Sequence, residues 1–142
     1  MRPLVKIITS EDAGERNTPL EQAVAGLDTA GLLAGCAELD DFRRRTANLY
    51  ERVRALFFLA SIHRYTLPGQ KVIPAFGLIP FRAYVNLLER RFEESISILL
   101  DSMAKEGPSE ALSSALAAAY RGLAFQTLAD QVRRSVRSIA GN

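Results

Sequence analysis

The chain is poor in the residue types that carry chemistry: among 142 residues there are one cysteine, one histidine and no tryptophan. A single cysteine, Cys36, excludes an internal disulfide and a cysteine-based zinc cage. It sits in a small apolar context, Ala34-Gly35-Cys36-Ala37, and reads as a buried small hydrophobe. No glycine-rich phosphate loop is present. The apolar run Ala55 to Ala60 falls far short of the ~20 residues a membrane span needs. Residues 3–8 are largely apolar, but Glu11 and Asp12 follow too soon for a secretory signal. The expected compartment is a reducing cytoplasm.

The remaining candidates for chemistry lack partners in the sequence. A general base needs a pocket and a second group, and nothing near Ser61-Ile62-His63-Arg64-Tyr65 supplies either. His63 is therefore read as structural or solvated. Glu89, Glu93 and Glu94 cluster beside Arg90 and Arg91, but a di-metal carboxylate bundle needs Glu-x-x-His motifs, and there are none. A solvated, ion-paired face is the expectation. No catalytic, cofactor-binding or metal-ligating residue is assigned.

What the chain does have is helical pattern and arginine. Its length and its 48% hydrophobic and 24% charged content suit one globular domain. Of 18 basic residues, 15 are arginine. Residues 1–42 hold three basic and eight acidic side chains, net −5; residues 43–142 hold fifteen and eight, net +7. The two basic runs are Arg43-Arg44-Arg45 and Arg133-Arg134 with Arg137. These six arginines are the candidate interaction surface, since guanidinium forks suit carboxylate and phosphate. Nucleic acid is disfavoured as a partner, because acidic residues interrupt the surface and the helices are too long for a helix-turn-helix.

The expected architecture is all-α, an irregular bundle or short superhelical stack of four to six helices around a central helix. Residues 1–17 are expected to be an extended or mobile arm, with residues 3–9 a possible edge strand, and 18–142 one helical domain. Thr18-Pro19-Leu20-Glu21 predicts a capped helix start, worth about 1 kcal/mol. Gly31 and Gly35, one turn apart, would allow close helix approach, with a break near Asp28-Thr29. The spacing of Leu49, Val53, Leu56, Phe57 and Ala60 predicts a central helix over about Leu39–Tyr65. Pro68, Gly69, Pro74, Gly77 and Pro80 predict an irregular strap at 66–80, its apolar residues packed on the core. Further helices are expected over Phe81–Lys105, closed by Gly107-Pro108, and from Pro108 or Ser109 to about Ile139, with Gly122 at a bend.

Two resemblances follow from these stretches. Arg91-Phe92-Glu93-Glu94-Ser95-Ile96 through Leu99, echoed 33 residues on by Phe125-Gln126-Thr127-Leu128-Ala129, resembles the second helix of tetratricopeptide hairpins, whose period is 34. The second copy places its small residue one position late, and the family's tryptophan and glycine positions are absent. This resemblance covers residues 80–140 and implies a concave groove for a peptide. Tyr50 to Leu59 and Leu87 to Glu94 resemble the helical N-terminal part of large bacterial proteins labelled sugar nucleotidyltransferase or sugar kinase. That would imply catalytic machinery beyond Asn142 and carries over no site residue.

The leading expectation is a non-enzymatic helical module contacting another protein, a second copy, or the rest of a longer chain. The alternatives are an accessory domain of a sugar-nucleotide or sugar-phosphate enzyme, and a weak nucleic-acid binder.

Overall fold

The computed structural model describes residues 3–140, with side chains through Val136. Among the described residues the fold is all-α, with eight α-helices and no strand. Three short helices open the chain: α1 (Leu4–Thr9), α2 (Ala13–Arg16) and α3 (Leu20–Val24). They lead to α4 (Thr29–Arg45) and α5 (Leu49–Ser61), which continues through a π-helical turn (Ile62–Thr66) and a 3₁₀ turn (Leu67–Gly69). After an irregular segment, α6 (Phe81–Leu88), α7 (Phe92–Glu106) and α8 (Glu110–Ala140) complete the bundle.

The expected N-terminal arm or edge strand is instead α1. Leu4, Ile7 and Ile8 recur at helical spacing and are all buried against the core. Burial of one face outweighs the weak helix propensity of the β-branched residues. Leu4 meets α4 at Gly35, where an added Cβ would lie 3.2 Å from Leu4 Cδ1. The close approach expected of the Gly31/Gly35 pair is thus made at Gly35, by a short helix.

Two long helices of the sequence reading are each divided. The stretch 39–65 breaks at Thr46-Ala47-Asn48, where Asn48 Oδ1 accepts the Glu51 amide at 3.0 Å and caps α5. The stretch 81–105 breaks at Glu89-Arg90-Arg91. Arg90 adopts φ 63°, a left-handed conformation usually left to glycine. The Arg91 amide reaches back to the Asn86 carbonyl at 2.8 Å and the Arg90 amide to Leu87 at 3.1 Å, a Schellman closure of α6.

The other boundaries fall near their expected places. Asp28 caps α4 through the Gly31 amide, giving the break near Thr29. Ser109 Oγ accepts the Leu112 amide and starts α8. Thr18 does not cap α3; its hydroxyl donates to the Glu15 carbonyl at 2.7 Å and closes α2.

The main packing is a chain of layers: α4 on α5, α5 on α8, α8 on α7, α7 on α6, with α1 laid on α4 and α5. The hub is therefore shared between α5 and α8. Leu112, Leu116, Ala119, Tyr120 and Ala124 of α8 are buried against Leu56, Leu59 and Ile62 around α5 and Ile96 and Leu99 of α7. Gly122 marks no break in α8. It marks a contact: a Cβ there would lie 2.5 Å from Phe92 Cε1 and Cζ. The strap is anchored more sparingly than expected. Leu67 and Ile73 are buried, while Val72, Phe76, Leu78 and Ile79 are exposed. Its backbone is held where the Glu110 amide donates to the Pro74 carbonyl at 2.8 Å.

Candidate functional site

Two arrangements of polar side chains stand out, one buried and one on the surface. The buried one is built on the last turns of α4. Asp40, Arg43 and Arg44 lie at spacings of three and four, so one carboxylate can serve both guanidinium groups. Arg43 is only 3% exposed. Its Nε donates to Asp40 at 2.9 Å, and its Nη1 and Nη2 fork onto Glu93 of α7 at 2.8 and 3.0 Å. Tyr120 of α8 donates its hydroxyl to Asp40 at 2.9 Å and lies under the Arg43 guanidinium. His63, brought inward by the π-helical turn, stacks on Tyr120 with ring centroids 5.8 Å apart.

The electrostatics of this centre follow from burial and from the Arg43 charge. Burial raises the Asp40 carboxyl, but Arg43 beside it and hydrogen bonds from Arg44, Tyr120 and Arg43 outweigh this and hold it below its usual range. Burial disfavours the Arg43 charge, yet the Glu93 and Asp40 carboxylates more than restore it. Tyr120 is pushed up by burial and by Asp40. Burial, aided by Asp40, pushes the Cys36 thiol up to about 12. His63 is lowered to about 4 by burial, against a smaller opposing pull from Asp40, so its ring is neutral.

This centre ties α4, α7 and α8 together through Arg43, Glu93, Asp40 and Tyr120. His63 Nδ1 meets Ser113 Oγ at 3.3 Å, which superficially resembles a base and a nucleophile. However, His63 Nε2 has no partner, and both residues are buried. The carboxylate of Asp40 is committed to Arg43, Arg44 and Tyr120.

Of the six arginines expected to form an interaction surface, four are held in ion pairs. Arg43 is buried, Arg44 pairs with Asp40, Arg45 pairs with Asp41 at 2.8 Å, and Arg133 pairs with Asp130. Arg134 is exposed on α8, and the Arg137 side chain lies outside the described residues. The physical reason lies in the sequence itself: Asp40, Asp41 and Asp130 stand one helical turn before Arg43, Arg44, Arg45 and Arg133 and pair with them. A hollow of about 490 Å³ does border Arg43, Arg44 and Arg52, but Glu93 shares it. Arg52 Nη2 is occupied by the Thr46 carbonyl at 2.8 Å.

The surface arrangement lies on the outer face of α8. Ala111, Ser114, Ala115 and Ala118 follow one another at spacings of three, one and three, a low ridge of small side chains. A groove runs along each side of it, and Ser114 and Ala118 belong to both. The first groove, about 410 Å³, lies toward α5 and the π-helical turn and is walled by Phe57, Arg64, Tyr65 and Arg121. The second, about 320 Å³, lies toward α6 and α7 and is walled by Ile79, Tyr84, Leu87 and Leu99. No carboxylate lines either groove. Among the described residues Arg64 and Arg121 have no ion-pair partner. Beside the grooves the chain leaves large apolar side chains open to solvent: Tyr65 is 76% exposed, Phe81 76% and Tyr84 50%.

Arg64 and Arg121 were not legible as a site. They are 57 residues apart and each is isolated in the sequence, so only the packing of α5 on α8 brings them to one groove. No family model, curated protein or solved structure matches the chain. Among the described residues no helix is long and apolar enough to cross a membrane, and no three His, Cys, Asp or Glu side chains are grouped to hold a metal ion.

Proposed function

We propose that the chain is a non-enzymatic helical module of the cytoplasm that docks another protein along the outer face of α8. The observation that carries this reading is the paired groove over Ser114 and Ala118, walled by exposed aromatic side chains. Exposed apolar surface of this kind, when contiguous, marks interaction sites. The small-residue ridge allows a partner backbone to approach closely, and the flanking side chains give it depth. The tetratricopeptide-like pattern in α7 and α8 is in keeping with such a role.

A sugar-phosphate or nucleic-acid reading would need free arginines. The hollow beside Arg43, Arg44 and Arg52 does not offer them, since those groups are largely engaged; Arg64 and Arg121 are free among the described residues, but the groove they line adjoins an uncharged apolar one that suits a protein surface better. Docking of a protein is therefore the stronger reading.

The test is site-specific photocrosslinking from position 84, in the groove wall, and from position 37, exposed on α4. The expected result is a discrete adduct from position 84 only, lost in Ala118→Arg. The captured protein, identified and purified, should bind the wild-type chain in the micromolar range or better, and bind the variant at least tenfold more weakly. Equal capture at both positions, or capture unaffected by Ala118→Arg, would count against the reading.

A further inference from the structure

We propose that the occupant of the α8 face is an amphipathic α-helix with an acidic flank, seated astride the Ser114/Ala118 ridge; this rests on the docking reading above. The two grooves differ in chemistry. The one toward α6 and α7 is walled by Ile79, Tyr84 and Leu87 and carries no charge. The one toward α5 carries Arg64 and Arg121, together with Ser61 and Ser114, and no acid to answer them. A segment lying along the ridge thus meets an apolar wall on one side and two guanidinium groups on the other. Apolar residues on one flank and Asp or Glu on the other match this division.

A helical segment suits the site better than an added strand. There is no strand edge among the described residues, and the α8 backbone is internally hydrogen-bonded, so strand addition has no partner. Small side chains at helical spacing instead favour close packing of a second helix. The ridge from Ala111 to Arg121 spans about 15 Å of helix axis, which a partner of roughly three turns would cover. Guanidinium forks at the rim suit carboxylates and fix the direction in which the segment lies.

The experiment uses the full chain and two fluorescein-labelled designed peptides of about four turns. Both carry Leu and Ala on one face; one has glutamates on the adjoining flank and the other lysines at the same positions. Fluorescence anisotropy should show the acidic peptide binding at least about tenfold more tightly than the basic one at low salt, with the preference falling as salt rises. The double variant Arg64→Glu/Arg121→Glu should reverse the order of the two peptides. Both substitutions are on exposed side chains, and an unchanged melting temperature confirms the fold.

Equal affinity for the two peptides overturns the acidic assignment, as does tighter binding of a single-stranded DNA oligomer of matched charge. Binding of neither peptide also overturns it. If photocrosslinks from position 84 persist in that case, the docking reading stands and only the acidic helix is lost. If they vanish as well, both fall.

Discussion

His63 makes acid sensitivity a test of the buried centre. Its pKa is lowered from 6.5 to about 4, chiefly because burial disfavours the imidazolium. The sign follows directly. Between those values the unfolded chain binds a proton that the native state refuses, so stability falls as pH drops from about 6.5 toward 4. At pH 5 the unfolded ring is almost wholly protonated and the native ring about one-tenth so, giving a loss of about 2 kcal/mol. Below pH 4 the loss levels off at about 3 kcal/mol. Against a total stability of roughly 5–15 kcal/mol this is a large fraction. Because His63 is the only histidine, a single substitution removes the effect. Urea unfolding of wild type and His63→Leu at pH 7.5 and pH 5 should show the variant losing about 2 kcal/mol less than wild type. Asp40, whose carboxyl is held low, contributes stability that is lost only at more acid pH, and equally in both proteins. An imidazole resonance titrating in the native protein at or above pH 6 would refute the argument. So would equal losses in the two proteins.

Three further outcomes test the packing. Gly122→Ala should destabilise by roughly 1–3 kcal/mol, because its Cβ would enter the Phe92 ring, although alanine is the better helix former. In a Phe92→Leu background the same change should cost less or become stabilising, which a double-mutant cycle reads directly. Tyr120→Phe removes a hydroxyl that donates to the Asp40 carboxylate at 2.9 Å, and should cost on the order of 1–2 kcal/mol in chemical denaturation. The Cys36 thiol is buried and raised to about 12, so a thiol reagent at pH 8 should label it only at the rate of opening or unfolding. Immediate labelling of the native protein would contradict its placement.

The helical class was legible because apolar spacing survives without knowledge of partners. Leu4, Ile7 and Ile8 show the limit of that signal. Five residues of β-branched and apolar character fit a strand equally well until α4 and α5 provide a surface for one helical face. The break at Asn48 carried a local signature, Asn48 with Glu51 three residues later, but the apolar stripe ran through it and masked it. The break at Arg90 carried none, since arginine rarely takes positive φ. The neutralisation of Arg43, Arg44 and Arg45 was written in Asp40 and Asp41, one turn earlier. Glu93 and Tyr120 join that centre from 50 and 80 residues away, which no local spacing foretells.

The position of α8 between α5 and α7 has a consequence for how the chain folds. The first helical layers and the α6–α7 hairpin pack mainly on α8, with little direct contact between them. Contacts of α5 with α8 join residues 50 or more apart, so the core closes only through long loops. During synthesis α8 follows α1 to α7, and until residues through Ala124 have emerged the faces of α5 and α7 that it covers stay open. The nascent chain therefore passes through a stage with two half-built layers and a shared vacancy. Folding rate should respond most to substitutions at Leu112, Leu116 and Tyr120, where α8 fills it.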